Sequence, residues 1–251
     1  MGQSSFLDKS APTLEVLIDF DGTIAPDDPT DRLFARFADP SWHVIESQWQ
    51  CGGISSRECM ARQVALLRAS PEALDAEISA IRIDPGFPNF LDFCRRHGAE
   101  LKIVSDGFDR VVSTVLQTER LSVPFFANKL EWLGGDRWRL AFPHARSDCH
   151  VGGANCKCSH ARRPRQWPRI VIGDGRSDFC MSAGADYVLA KGTLAEYCRS
   201  RGRAYALFAN FNDVTARLSA WLARVETTPS TAPSTAPSTL ASAPTTPQPE
   251  Q

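Results

Sequence analysis

The chain has 251 residues, 43% of them hydrophobic and 23% charged, and its 28 Lys and Arg against 29 Asp and Glu leave a formal net charge of -1. That is enough apolar chain for a core of one or two domains, and the charge balance excludes a global field that would hold nucleic acid or an anionic membrane. No apolar run approaches the ~20 residues needed to cross a bilayer.

Residues 1–12 read as a polar N-terminal extension. They lack the apolar stretch of a signal peptide, and Phe6 stands where a myristoylation signal needs Ser or Thr. A cytoplasmic protein is therefore expected, with its 8 cysteines as thiols rather than a disulfide framework.

Next comes a strand-like run, Leu14-Glu-Val-Leu-Ile-Asp-Phe-Asp21, closed by Gly22 and Thr23. Alternation along a strand puts Asp19 and Asp21 on one side, and Gly22 lets the backbone turn after them. Two carboxylates at a strand end repel each other and lose solvation, a cost that bound Mg²⁺ relieves.

From Asp28 to Ile83 the apolar residues fall at helical spacing, as in Leu33, Phe34 and Phe37, then Met60, Val64 and Leu67. This is a helical insert after the first strand. Beyond it, strand runs alternate with helices. Helix Phe87–His97 precedes strand Glu100–Ser105, and helix Phe108–Glu119 follows it. After an irregular stretch from Leu130 to Pro168, with a hairpin expected at Gly134-Gly135, come strand Arg169–Gly173 and helix Ser177–Ala183. Strand Tyr187–Ala190, helix Leu194–Arg201, strand Tyr205–Phe208 and helix Asp213–Trp221 complete the alternation.

Apolar runs without polar alternation suit strands covered on both faces, so the fold class is α/β, a doubly wound parallel sheet, with ligands at the carboxyl ends of the strands. The expected division is a core of 13–27 and 84–225, a cap of 28–83, and from 226 a tail of Pro, Thr, Ser and Ala too poor in apolar residues to pack. Within the irregular stretch, His144, Cys149, His150, Cys156, Cys158 and His160 lie close together. Their spacing lacks a Cys-x-x-Cys knuckle and leaves two readings open, a structural zinc site or small side chains packing a tight loop.

Gly173-Asp-Gly-Arg-Ser-Asp178 supplies a second pair of carboxylates, Asp174 and Asp178, at another strand end. Together with Asp19-Phe-Asp-Gly-Thr23, Ser105 at the end of the second strand and an upstream lysine, this order of motifs resembles the haloacid dehalogenase superfamily of phosphatases. The position of the helical insert is similar to the cap of its phosphoserine-phosphatase-like branch. The resemblance implies a Rossmann-like core and a Mg²⁺-dependent phosphomonoesterase that forms an aspartyl-phosphate.

By position, the resemblance implies Asp19 as nucleophile and Asp21 as acid and base. It implies Asp19, the Asp21 carbonyl and Asp174 around Mg²⁺, with Asp178 orienting a metal-bound water or the lysine. Ser105, Gly107 and Lys157 would bind the phosphoryl group, with contacts from Gly22 and Thr23; Lys129 and Lys191 are alternatives to Lys157.

The cap should choose the substrate. Asp28 falls where phosphoserine phosphatases meet the substrate amine, and Gln63, with Arg62 beside it, falls where they use an arginine for the carboxylate. An amide there removes the bidentate partner of an amino-acid phosphate. Phe37-Ala-Asp-Pro-Ser-Trp42, Ile54–Glu58, Phe142-Pro-His144 and the Cys-rich loop resemble the branch that hydrolyses 2-hydroxy-3-keto-5-methylthiopentenyl-1-phosphate in methionine salvage. Trp42, Trp49 and Met60 either line an apolar cap pocket or pack the cap core.

The expected partner is thus a small phosphorylated metabolite, with no nucleic acid or membrane, acted on by a monomer or homodimer. Phosphoserine, phosphocholine, phosphoethanolamine and pyridoxal phosphate stay open as substrates. So do a catalytically silent phosphate-binding protein and a phosphotransferase.

Overall fold

The computed structural model describes residues 14–161 and 167–227; the N-terminal extension and nearly all of the expected tail lie outside them. Seven strands form one sheet: β1 (Leu14–Ile18), β2 (Ala99–Phe108), β3 (Phe125–Gly134), β4 (Arg137–Ala141), β5 (Arg169–Gly173), β6 (Tyr187–Ala190) and β7 (Ala206–Leu207). Their order is β4-β3-β2-β1-β5-β6-β7, parallel throughout except for the β3–β4 hairpin.

β1 is central, and every one of its residues is buried. Ile18 pairs with Ile103 on one side and Ile172 on the other, so β1, β2 and β5 run level and their carboxyl ends open side by side. That register brings the segments after Ile18, Val104 and Ile172 to one edge, although Ile18 and Ile172 are 154 positions apart in the chain.

Four helices follow β1 as an insertion: α1 (Pro29–Phe37), α2 (Trp42–Gln50), α3 (Ser56–Val64) and α4 (Pro71–Ser79). Their starts are written locally. The Asp28, Ser55 and Ser70 side chains each accept an amide hydrogen bond at their N-caps, with Pro29 and Pro71 opening α1 and α4. The insertion docks through Phe34, which meets Phe108 at the end of β2 edge-to-face at 5.8 Å. It is also tied by Arg110 to Asp75 at 2.6 Å, and by the Trp138 indole, which donates to the Ala69 carbonyl at 2.9 Å.

The remaining helices are α5 (Phe87–Arg96), α6 (Asp109–Thr118), α7 (Lys157–Ala161), α8 (Phe179–Ser182), α9 (Gly192–Ser200) and α10 (Phe211–Thr227). On one face of the sheet α5 packs on α10 through Phe87, Phe90 and Phe211, with ring centroids 5.0 and 5.4 Å apart.

Three details differ from the sequence expectation. β3 begins at Phe125 and joins the sheet parallel to β2 before folding into the hairpin, so the irregular stretch starts only after Ala141. Lys157 opens a short helix rather than sitting in a loop. α10 runs on to Thr227, past the expected boundary of the folded part. Among the described residues no helix is long and apolar enough to cross a membrane.

Candidate active site

The three level strand ends supply the site. Asp19 follows β1 directly, its amide donating to the Ile172 carbonyl at 2.9 Å. Asp174 and Asp178 come from the turn after β5, and one oxygen from each of Asp19, Asp174 and Asp178 lies within 4.8 Å of the others. Lys157 enters from α7. Its Nζ stands 2.7 Å from Asp19 Oδ1 and 2.9 Å from Asp178 Oδ1, and the side chain is 1% exposed.

Burial alone would lower the Lys157 pKa, but the Asp178 and Asp19 carboxylates outweigh it and hold the ammonium above its ordinary value. Burial and then Asp178 raise Asp19, against the pull of Lys157. Burial also raises Asp174, to about 6, opposed by a hydrogen bond from Thr23. One ammonium does not compensate three crowded carboxylates. Their hard oxygen donors match Mg²⁺, and a divalent cation among them would offset the burial and the repulsion that raise Asp19 and Asp174.

Glycines make this crowding possible. A Cβ at Gly22 would collide with the Asp174 carboxylate, one at Gly107 with that of Asp21, and one at Gly173 with that of Asp178. Gly22 also turns the chain with φ +71°, which L side chains rarely adopt.

Asp21 sits beside the cluster rather than in it. Its carboxylate accepts from the Ser105 hydroxyl at 2.8 Å and from the hydroxyl of Thr30, on α1, at 3.0 Å. Ser105 in turn accepts from the Gly107 amide at 2.8 Å.

Thr23 is placed differently from the phosphate contact expected of it. Its hydroxyl donates to Asp174 and its amide to the Phe20 carbonyl, so both of its donors are committed to shaping the strand end. Asp178 is likewise committed: Oδ1 meets Lys157, while Oδ2 accepts the amides of Asp174 and Gly175, each at 3.2 Å. Lys129 lies elsewhere, against Glu131, while Lys191 stands over the Phe208 ring and acts on Asp174 through its charge without an ion-pair contact.

The insertion roofs a cavity of about 150 Å³ over these groups, smaller than a drug-sized pocket and suited to a small molecule. Its floor is Asp19, Asp21, Gly107 and Asp174; its roof includes Phe34, Trp49, Met60 and Gln63, with carboxylates from Asp28, Asp31 and Glu46. Asp28 lines the cavity, although the residue as a whole is exposed. The enclosing walls, then Asp21 and Asp31, push its carboxyl up to about 8.

Gln63 reaches the cavity but is buried, donating to Glu46 at 3.0 Å. Arg62 does not reach it. One residue along the helix it faces outward, exposed, and bonds Gln48 at 3.0 Å. Trp42 packs the core with Phe34, whereas Trp49 and Met60 line the cavity.

Some of the wiring carried no signal in the sequence. Asn155, buried, donates its amide to Asp106 Oδ1 at 3.0 Å and its side chain to the Ser105 and Phe126 carbonyls at 2.9 and 3.0 Å, tying the segment before Lys157 to the end of β2. Asp106 also accepts from Ser56 at the start of α3 at 2.9 Å.

Comparison with known proteins agrees with this architecture. The family model for haloacid dehalogenase-like hydrolase matches residues 16–183. A 2-hydroxy-3-keto-5-methylthiopentenyl-1-phosphate phosphatase of Brevibacillus brevis is 33% identical over 207 residues, covering 80% of this chain and 93% of that protein. One of the same name from Geobacillus kaustophilus is 33% identical over the same shares. A phosphoserine phosphatase solved as a phospho-aspartyl intermediate analogue superposes with a TM-score of 0.64 at 20% identity, over 83% of this chain and 99% of that one, a likeness of fold. The chain belongs to the haloacid dehalogenase-like hydrolases, on the phosphoserine-phosphatase-like fold with its cap after the first strand, and is a phosphatase of that family.

Proposed function

We propose that the protein is a Mg²⁺-dependent phosphomonoesterase that works through an aspartyl-phosphate at Asp19 and acts on a small keto-sugar phosphate carrying an apolar tail. The observation that carries the reading is the convergence of Asp19 and Asp174 on the floor of one capped cavity, with Asp178 and the buried Lys157 packed directly behind them.

Both contacts to Asp19, from Lys157 and from the Phe20 amide at 2.7 Å, fall on Oδ1, which leaves Oδ2 as the attacking oxygen. Lys157 fixes the carboxylate for in-line attack and offers positive charge to the equatorial phosphoryl oxygens. Asp178 positions Lys157. Ser105 and the Gly107 amide are assigned to the phosphoryl oxygens, exchanging their mutual hydrogen bond for substrate. Asp21, held by Thr30 and Ser105, protonates the leaving alkoxide and then takes the proton of the water that cleaves the acyl-phosphate. Asp19, Asp174 and the Asp21 carbonyl would hold Mg²⁺, which supplies charge neutralisation at the phosphoryl group.

Substrate choice follows from the roof. A substrate carboxylate would meet Asp28, Asp31 and Glu46, and Gln63 offers no charge to offset them, which disfavours phosphoserine. Asp28 with a raised pKa can donate a proton to a keto or hydroxyl oxygen, and Trp49, Met60 and Phe34 suit a thioether. The relatives at 33% identity bear the name of such a phosphatase. The same acidic roof favours a second reading, an amine-bearing ester such as phosphoethanolamine or phosphocholine.

A panel at fixed Mg²⁺ separates the readings. The highest kcat/KM is expected for the methylthio keto-sugar phosphate. A higher value for phosphocholine or phosphoethanolamine selects the second reading, and a higher value for phosphoserine contradicts both.

A further inference from the structure

Away from the acidic cluster, a second group of ligand-type side chains converges behind Lys157. The sulfurs of Cys149, Cys156 and Cys158 lie within 4.8 Å of one another, and Cys156 Sγ stands 3.6 Å from Cys158 Sγ. Zinc–thiolate bonds of about 2.3 Å in a tetrahedron put sulfurs ~3.8 Å apart, so the Cys156–Cys158 spacing is already that of one tetrahedral edge. Cys180, at the start of α8, has its thiol against Cys158 but outside the 4.8 Å group, so it would have to close on the other sulfurs to complete a tetrahedron.

The surroundings of Cys149 suit a thiolate, whereas burial raises the thiols of Cys156 and Cys180, a cost that a bound cation would offset. The Gly153 amide points at Cys149 Sγ from 3.3 Å, the amides of Val151 and Gly152 add to it, and together they draw the thiol below its ordinary pKa against the effect of burial. Gly152, at φ +58°, lets the backbone curl around the sulfur. The Arg146 guanidinium lies close enough to Cys156 and Cys158 for their charge to favour its own. A cavity lined by Cys149, Cys156 and Cys180 gives an ion a route in. Two of the loop's histidines are occupied elsewhere: His144 and His160 pack on Phe126, and His160 Nε2 meets Asn155 Oδ1 at 3.1 Å, while His150 lines the same cavity as the cysteines.

We propose that Cys149, Cys156 and Cys158, completed by Cys180, form a structural Zn²⁺–thiolate site that anchors the start of the helix carrying Lys157. Zn²⁺ binds as the thiols lose their protons to solvent, one for each thiolate formed, with no change of oxidation state. Soft sulfur donors separate this site from the hard carboxylate cluster, so the two select different ions. Its effect on the phosphatase site is positional. Cys156 and Cys158 flank Lys157 in the chain, and Asn155 precedes them, so pinning the two sulfurs pins the origin of the Lys157 side chain and the Asn155 contacts to β2.

The test is metal analysis of the full-length protein, purified without chelator under reducing conditions. About one zinc per chain is expected, released stoichiometrically by a thiol-binding mercurial. Substitution with Co²⁺ should produce a sulfur-to-cobalt charge-transfer band in the near ultraviolet. Cys156→Ser/Cys158→Ser should lose both the zinc and the band, whereas Asp174→Asn, which alters the acidic cluster, should keep both.

Zinc well below one per chain after incubation with excess Zn²⁺ would overturn the proposal. So would a cobalt protein without the sulfur band, loss of the zinc in Asp174→Asn with retention in the double serine variant, or a disulfide among these cysteines in the reduced protein. If the serine variants do not fold, zinc content, mercurial release and the cobalt spectrum of the unaltered chain still decide.

Discussion

Ser56, at the start of α3 in the cap, donates a hydrogen bond to the half-buried Asp106 in the core at 2.9 Å, and the other oxygen of that carboxylate receives the Asn155 amide at 3.0 Å. The cap is thus latched to the residue between Ser105 and Gly107, in the part of β2 assigned to the phosphoryl group. Burial raises the Asp106 pKa, while Lys157, Asn155 and Ser56 pull it down.

Ser56→Ala removes the latch from the cap side and leaves Asp106 with one partner fewer. A net hydrogen bond to a charged group contributes about 1.5–3 kcal/mol. The expected outcome is a KM raised several-fold with kcat changed less, and faster protease cleavage within the cap. Unchanged KM and unchanged protection would show that the latch does not hold the closed cap.

Lys157→Met strips the compensation from Asp19 and Asp178, both buried. Breaking a buried ion pair from one side costs about 3–5 kcal/mol. Denaturant unfolding of metal-free protein should show a loss of that order, and the folded fraction should have lost turnover of p-nitrophenyl phosphate. A variant as stable and as active as the parent would rule out the role given to Lys157.

Gly107→Ala tests steric placement. The backbone at Gly107 does not have a positive φ, so alanine is conformationally acceptable there, and its cost is the collision of Cβ with the Asp21 carboxylate. Displacing a catalytic group by ~1 Å can cost on the order of 100-fold in rate. The expected result is a near-parental melting temperature with kcat lowered between ~10- and ~100-fold. Full activity would show that the strand end yields without consequence.

Asp28 gives a pH dependence. Its carboxyl is raised from an ordinary value of about 3.9 to about 8 in the fold, so the protonated form is the one folding favours. Its contribution to stability is complete below about pH 4 and is lost as pH rises through about 8. Asp28→Asn cannot ionise. In EDTA its melting temperature should pull ahead of the parent's as pH rises from 4 to 8, then hold a constant lead. A constant difference across that range would contradict the raised value.

The architecture was open to reading because buried parallel strands write themselves as apolar runs without alternation, as in Val16-Leu-Ile18 and Ile170-Val-Ile172. Carboxylates at the ends of such runs are conspicuous beside glycines. β3 was harder to see, since it is half edge hairpin and mixes Asn128, Lys129 and Glu131 with its apolar residues. Contacts made by through-space convergence left no periodic trace: Asn155 with Asp106, Thr30 with Asp21, and Ser56 with Asp106. Arg62 and Gln63 show the limit of spacing arguments on a helix, where neighbouring residues point about 100° apart and only Gln63 meets the cavity.

The most direct measurement is acid quenching of Asp21→Asn protein during turnover of p-nitrophenyl phosphate with Mg²⁺, followed by peptide mapping. Asp21 is assigned to the breakdown of the intermediate, so its removal should let a phosphoryl group accumulate, labile to hydroxylamine, on the peptide that contains Asp19. The same experiment with Asp19→Asn should show neither label nor turnover. Turnover retained in Asp19→Asn, or a label on any other residue, would contradict the aspartyl-phosphate mechanism.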